Sequence, residues 1–475
     1  MFTTEQIKKF SKGDSEIEAI FTLMNNRILE LEAEVRELKR KLGMNSNNSS
    51  KPPSSDGFSK PVNLRQKGGK NGAPKGHQGH TLRFSDSPDF TTWYRVSSCS
   101  HCEANLEDVE ADGYERRQQF DLPDIRMYIT EFRAEKKCCP HCRTKQQALF
   151  PHEISAPVQY GPRMTSMTAY LSVYQLLPLE RISRFYKDVM GYQPSEATLI
   201  KQVQTMSVAV EPTLSDIREQ LLLQELLHAD ETNMKVGTKK HWLHTVSNNL
   251  WTLLIIYPKR GSEAFAQMGV LPNYKQILVH DCFPSYFREE YKFKHALCNA
   301  HFMRDCIGIA ENDKHEWPTE MNTLLQEAWK CTKSYRHENQ LLPPELIAQY
   351  EQRYDCILEK AKTEWAKDLI PAKTGPRGRK CKSRAANVGQ RFLQFKTEIL
   401  RFLRDGRVPF DNNQAERDIR MSKVKQKISG NFRTEEGVQY FTRIRSVVST
   451  LLKQQYPILS SLAQILHGNF QFASS

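Results

Sequence analysis

Between Glu225 and Phe283 the apolar residues take up the two-residue period of a strand, and no other stretch restricts the fold as much. LLHADETNMKV (Leu226–Val236), KKHWLHTVSNN, LWTLLIIYPKRG and QILVHDCF read as strands, with helix-like EAFAQMG ahead of the fourth. Together they predict a mixed sheet. QILVHD is a continuous apolar run of the buried kind, and it delivers Asp281 at its end. Asp230 stands in the middle of the first strand, where a carboxylate is costly without a positive partner. Two carboxylates on neighbouring strands repel unless a divalent cation lies between them.

Octahedral magnesium takes one or two carboxylates together with waters and phosphate oxygens. Two such ions about 3.5–4 Å apart can activate a nucleophile and stabilise the leaving oxygen of a phosphodiester. Glu416, in DNNQAERDIR, is the candidate third acid, in the first turns of a helix. Each acid also has a plainer reading: Asp230 as a surface strand residue, Asp281 as a turn or helix N-cap, Glu416 as the partner of Asn413 in a capping box. Glu231 points to the opposite face of the strand from Asp230. Arg417 and Arg420, followed by Lys423, Lys425, Lys427 and Arg433, form a basic run beside the third acid. It would hold phosphates, or else it is an ordinary solvated helix face.

The flanking sequence predicts several further units in a chain of 475 residues. Over 15–43 the apolar residues Ile17, Phe21, Met24, Ile28, Leu31, Val35, Leu38 and Leu42 alternate steps of four and three. That seam predicts a dimerising coiled coil over 1–43, against the plainer reading of one amphipathic helix on its own core. Residues 44–85 form a basic linker: between Lys51 and His80 there are six Gly, four Pro and six Lys or Arg against one Asp. Such a segment cannot order itself alone, and it is either passive or an arm lying along phosphates. Within 86–155, Cys99 and Cys102 form one CxxC pair, Cys139 and Cys142 a second, and four thiolates suit a structural Zn²⁺. Cys138 is surplus, His101 and His141 could replace a thiolate, and FDLPDIRMYITEFRAEKK between the pairs alternates like short strands. Residues 156–223 are helical, with a helix capped by Ser195, and fit a helix-turn-helix reader of DNA or a plain helical domain. A catalytic unit over 224–436 and C-terminal helices over 437–475 complete the chain. PAKTGPRGRKCKSRAANVGQR (Pro371–Arg391) carries seven basic residues and no acid.

The net charge of +13 favours a polyanionic partner, nucleic acid first. The longest apolar run, Leu250–Tyr257, is far too short to span a bilayer, and MFTTEQIKKF has no signal-peptide h-region. Eleven cysteines, some in close pairs, fit a reducing compartment with a few metal ligands. The expected location is the cytoplasm.

The sequence resembles the transposases of the insertion-sequence sixty-six family, bacterial mobile-element enzymes with a DDE-type ribonuclease H-like core. The resemblance is carried by NSSKPPSSDG, GAPKGHQGHTL, the CxxC pairs, YGPRMTSMTAYLSVYQLLPLERI, HADET, HD ahead of Tyr286, CNAHFMRD, and DNNQAERDIR with SGNFRTEEG. It implies an α+β or α/β multidomain chain in which a ribonuclease H-like mixed sheet carries a helical insertion at roughly 310–400. It implies Asp230, Asp281 and Glu416 as catalytic acids holding Mg²⁺ (or Mn²⁺). The family's Cys–x–x–His–x–x–Arg falls on Cys298, His301 and Arg304, a strand terminus with a DNA-facing His and Arg. Implied partners are the element's terminal repeats, target DNA and further copies of the chain; a nucleoid-associated enzyme is expected. Many relatives have Gly after the second aspartate, where this chain has Cys282, so that turn must form without a left-handed glycine. A nuclease without strand transfer and a DNA-binding regulator are the competing functions.

Overall fold

The computed structural model describes residues 4–12, 14–49, 81–368 and 382–473. Residues 50–80 of the linker expected over 44–85, and 371–381 of the second basic stretch, lie outside these residues. The protein is mixed α/β, with many helices around one principal sheet.

Helix α1 (Thr4–Ser11) packs on α2 (Ser15–Gly43), whose first turn is capped by the Asp14 side chain accepting from the Glu16 and Ile17 N–H groups. Most of the seam residues of α2 are exposed in the single chain, Leu38 by 58% and Leu42 by 87%. The following turn docks elsewhere: Asn48 donates to Glu311 (2.8 Å) and its carbonyl accepts from Arg384 (3.2 Å). Gly308 permits this, because a Cβ there would overlap the Asn48 carbonyl oxygen.

Over 81–161 regular structure is limited to a small antiparallel pair, β1 (Lys136–Cys138) with β2 (Lys145–Gln147), and an isolated bridge between Ser98 and Asn105. The alternating stretch from Phe120 to Glu135 forms no strand. Met127 packs against the core around Ile182 and Tyr186, but the stretch has no sheet to cover, and Tyr128 and Ile129 stay exposed.

Next come α3 (Pro162–Ala169), a π-helical turn, α4 (Leu179–Met190), α5 (Glu196–Ala209) and α6 (Glu211–Leu223). Ser195 caps α5 as expected, accepting from the Thr198 N–H at 3.2 Å. Met206, Leu214, Ile217 and Leu221 of these helices share one apolar core with Leu227, Ala229 and Val246 of the sheet.

The sheet comprises β3 (Leu226–Val236), β4 (Lys239–Ser247), β5 (Thr252–Tyr257), β6 (Ile277–His280) and β7 (Lys294–Leu297), in the spatial order β5-β4-β3-β6-β7. The first three run antiparallel as a meander; β6 lies parallel to both β3 and β7. The β3–β4 hairpin closes on Gly237 at φ +56°, a first turn position that wants positive φ. Helix α7 (Ser262–Met268) precedes β6.

After β7 the chain builds a helical body from α8 (Asn299–Asp313), α9 (Trp317–His337), α10 (Pro344–Trp365), α11 (Arg384–Gln394), α12 (Lys396–Ile399) and α13 (Arg401–Arg404). Its core, with Trp317, Leu325, Tyr354 and Phe392 fully buried, is continuous with Ile277, Val279 and Ala296 of the sheet. Helix α14 (Asn413–Ser429) then returns to β3 and β4, α15 (Glu435–Lys453) packs on β5, and α16 (Ile458–Leu466) closes the chain. Among the described residues no helix is long and apolar enough to cross a membrane.

Candidate active site

Strand alternation sends His228, Asp230, Met234 and Val236 to one face of β3, and Met234 and Val236 meet Ile419 of α14 there. Leu227 and Ala229 lie in the core on the other side. The parallel register pairs His228 with Val279; carried two residues further, it sets Asp281 level with Asp230. Asp281 makes its own turn, its Oδ1 accepting the Phe283 N–H at 3.0 Å. That bond takes the place of the missing glycine, and Cys282 needs no positive φ.

Asn412, the residue before α14, fixes where Glu416 stands. Its side chain donates to the Ala229 carbonyl (2.8 Å) and bonds the His228 ring (2.8 Å), clamping the helix start to β3 beside Asp230. The capping-box reading fails, since the N-cap is Asn412 rather than Asn413 and Glu416 faces Arg304 at 3.5 Å. Sequence offered an Asn doublet and no means of choosing between its members.

Burial and mutual repulsion set the electrostatics. The Asp230 carboxyl lies well above the usual range because it is buried and because Glu231, Asp281 and Glu416 repel its charge. Burial also raises Asp281 and Glu416, against the pull of Arg260 and Arg304 respectively. At an effective dielectric near 20, two like charges about 4 Å apart cost roughly 4 kcal/mol. Asp230 makes no ion pair among the described residues. Three half-buried carboxylates, of which Asp230 has no cation of its own, are a hard-oxygen donor set, which fits Mg²⁺ or Mn²⁺.

The cation near Asp230 serves its neighbour. Arg260 donates to Glu231 at 2.8 Å and lies 3.7 Å from Asp281, with its guanidinium stacked over Phe283. The Tyr286 hydroxyl donates to the other Glu231 oxygen at 2.7 Å. Burial and Asp281 still raise Glu231 to about 7. Glu231 does point away from Asp230, as expected, but it is a buried group with two partners. Arg260 carried no sequence signal beyond being a polar residue near a strand end; Tyr286 stood in the sequence as part of the motif after HD, with no role attached to it.

The other predicted residues divide. His301 is half-buried: its Nδ1 is sealed from solvent without a hydrogen-bond partner, and burial lowers the ring to about 4, which disfavours a charged ring. Arg304 turns to Glu416. Lys425 is buried and donates to the carbonyls of Ser172, Leu176 and Leu177 (3.1–3.3 Å), holding a turn in which Leu176 has φ +62°. Its ammonium is committed to the fold. Lys423 folds onto the Asn233 carbonyl. Arg417, Arg420, Lys427 and Arg433 keep exposed side chains. A cleft of about 490 Å³, lined by His228, Arg407, Asp411 and Arg417 among others, runs along the start of α14.

The two CxxC pairs fold as matching turns. In each, the first Cys N–H bonds the carbonyl five residues on, and its own carbonyl accepts the N–H four residues on, where Glu103 and Arg143 take φ +61° and +56°. Within each pair the sulfurs interact. The two pairs do not converge: among the described residues the group of three or more His, Cys, Asp or Glu ligand atoms lying within 4.8 Å of one another is Cys298, His301 and Glu416.

Comparison with known proteins follows the same division. No curated protein matches the chain. Residues 4–83 match a family of unknown function (DUF6444). Residues 157–440, which take in the sheet, all three acids and the helical body between them, match the Transposase IS66 family. That match covers more than half of the chain, and the protein therefore belongs to the IS66 family of transposases, DNA-processing enzymes.

Proposed function

We propose that this protein is a DDE-type DNA transposase with a ribonuclease H-like core, in which Asp230, Asp281 and Glu416 are the catalytic acids. The observation that carries the reading is where the chain sets the acids: the parallel register puts Asp281 level with Asp230, the Asn412 clamp holds the helix of Glu416 to β3, and both charges repel that of Asp230. The sheet order, with a three-stranded meander extended by two parallel strands, supports the same core.

The three acids would hold Mg²⁺ (or Mn²⁺), which when bound supplies Lewis-acid activation of water and of the scissile phosphate. In the proposed reaction water cleaves a phosphodiester at the element's end and leaves a 3′-hydroxyl; that hydroxyl then attacks target DNA. No covalent enzyme intermediate is needed. Arg304 orients Glu416 from the next helix, Asn412 sets its distance from Asp230, and Arg260 offsets the charge of Glu231 and Asp281. Arg417, Arg420, Lys427 and Arg433 meet phosphates along the exposed side of α14 and its end. The exposed seam of α2 supports a coiled-coil dimer or higher oligomer, and the two cysteine turns support a structural Zn²⁺ once brought together. Action on the bacterial nucleoid follows from the same reading.

The test is Mg²⁺-dependent cleavage and joining of terminal-repeat DNA by wild type and Asp230→Asn. Both activities should vanish in the variant. Cleavage that persists removes Asp230 from the mechanism; cleavage without joining in wild type identifies a nuclease, and DNA binding alone a regulator.

A further inference from the structure

Cys298 stands at the N-cap of α8, directly after β7, and His301 lies one turn along the same helix, so the two side chains share a face. Glu416 approaches from the first turn of α14. One sulfur, one ring nitrogen and one carboxylate oxygen all lie within 4.8 Å of each other. A tetrahedral zinc ion with bonds of about 2.0–2.3 Å sets its ligands roughly 3.5 Å apart, within reach of small side-chain adjustments.

Three independent features point to a cation there. The Cys298 sulfur accepts the Asn412 N–H at 3.2 Å and a second backbone N–H from His301, while burial and the Glu416 charge push the thiol up to about 12, so the sulfur is set to receive a cation but needs one to become a thiolate. The His301 Nδ1 is buried with no partner, an arrangement that costs about 1–3 kcal/mol unless something binds the ring. Glu416 is held only loosely, its 3.5 Å approach to Arg304 being longer than a charge-assisted hydrogen bond of about 2.7–2.9 Å.

We propose that Cys298, His301 and Glu416 form a second metal site, selective for Zn²⁺ over Mg²⁺, that competes for Glu416 with the site Glu416 shares with Asp230 and Asp281. A sulfur–nitrogen–oxygen set suits zinc, whereas magnesium takes oxygen alone. Three protein ligands leave a fourth position open. The binding claim stands on these residues alone; the competition rests on the proposed catalytic role of Glu416. Zinc at this site draws Glu416 toward α8 and away from the aspartates, and so acts as an inhibitor.

The experiment titrates Zn²⁺, and Co²⁺ as a spectroscopic probe, into the full chain without DNA. Both Cys298→Ser and Glu416→Gln should bind one equivalent fewer than wild type, while the cysteine turns at 99–102 and 139–142 contribute equally to all three proteins. In Co²⁺ spectra, Cys298→Ser should lose one thiolate charge-transfer component. An unchanged equivalent count in the variants overturns the site, and Glu416→Gln keeps the test open if Cys298→Ser fails to fold. In Mg²⁺-dependent DNA cleavage, Cys298→Ser should need at least about tenfold more Zn²⁺ for half-inhibition. Equal inhibition of both proteins overturns the competition. If no cleavage occurs even without zinc, the catalytic reading fails and the zinc count still decides the site.

Discussion

The two candidate metal-binding regions of this protein are built in opposite ways. Around Asp230 the neighbours Leu227, Ala229, Val246 and Leu278 are buried to within about 1% of complete exclusion. Around the cysteine turns Tyr94 is 93% exposed and Leu149 95%. The acids stand on elements that packing sets in place, β3, the end of β6 and the start of α14 clamped to β3, and the repulsion felt by Asp230 is carried by the stability of the sheet. The cysteines are held by local turns, and among the described residues the two turns share no hydrogen bond. A site set by packing should resist loss of its ion and suffer from loss of a neighbour; a site set by backbone turns should do the reverse.

The sharpest way to break this contrast is to remove Arg260. Glu231 would then be a buried carboxylate with only the Tyr286 hydroxyl; because Arg260 itself reaches solvent, the loss falls below that of a fully buried pair, at roughly 2–3 kcal/mol. Urea unfolding of Arg260→Ala should show that loss, and adding Glu231→Gln should recover much of it by removing the unpaired charge. A cost below about 1 kcal/mol would mean the polar groups beneath the acids are not fixed by packing.

A smaller effect compares two glycines. A Cβ on Gly389 of α11 would overlap the Trp365 ring, whereas one on Gly113 would meet nothing within 4 Å. Gly389→Ala should cost about 1–3 kcal/mol, or more if the tryptophan cannot shift. Gly113→Ala should stay within about 0.5 kcal/mol. Equal melting temperatures for the two variants would remove the distinction between a packed and an unpacked region.

The pH dependence tests the repulsion itself. Glu231 moves from 4.5 to about 7, and Asp230, Asp281 and Glu416 move in the same direction. A carboxyl raised in the folded state holds its proton there more firmly than in the unfolded chain. Its contribution is therefore complete below about pH 4.5 and is lost as pH rises through 7, at no more than about 1.4 kcal/mol per pH unit for each group. Metal-free protein should melt at a lower temperature at pH 8 than at pH 6, and Mg²⁺ should recover the difference at pH 8. A melting temperature indifferent to Mg²⁺ at pH 8 would separate the acids from any ion.

The same contrast explains what could be read in the sequence. The four strands, the α7 turn and the Ser195 cap were legible because local pattern and tertiary packing agree there. FDLPDIRMYITEFRAEKK has a strand's alternation too, yet only Lys136–Cys138 pairs, since alternation needs a surface to cover. In the basic run after Glu416, Lys425 looks no different from Lys427. One is buried and the other exposed only because the inner side of α14 meets the carbonyls of Ser172, Leu176 and Leu177, some 250 residues earlier in the chain. The sealed Nδ1 of His301 and the clamp of Asn412 on β3 are likewise long-range facts, and no period reports them.

The smallest expected effect comes from the cysteine turns. Cys139→Ser removes a thiol from a turn that keeps its backbone hydrogen bonds, Cys139 N–H to Thr144 and Arg143 N–H to Cys139, and the bonds from the Cys138 and Cys142 thiols to the Arg143 carbonyl and the Thr144 hydroxyl. The core that contains the acids touches none of these groups, so its unfolding midpoint should move by less than about 0.5 kcal/mol. Protease should nevertheless cut the variant, and chelator-treated wild type, faster between 81 and 160, because an ion would hold the two turns to each other. If cutting in that stretch is unchanged by chelator, the turns are held by something other than metal. If the core midpoint falls as well, the two regions are coupled, and the cysteine turns support the acids instead of standing apart from them.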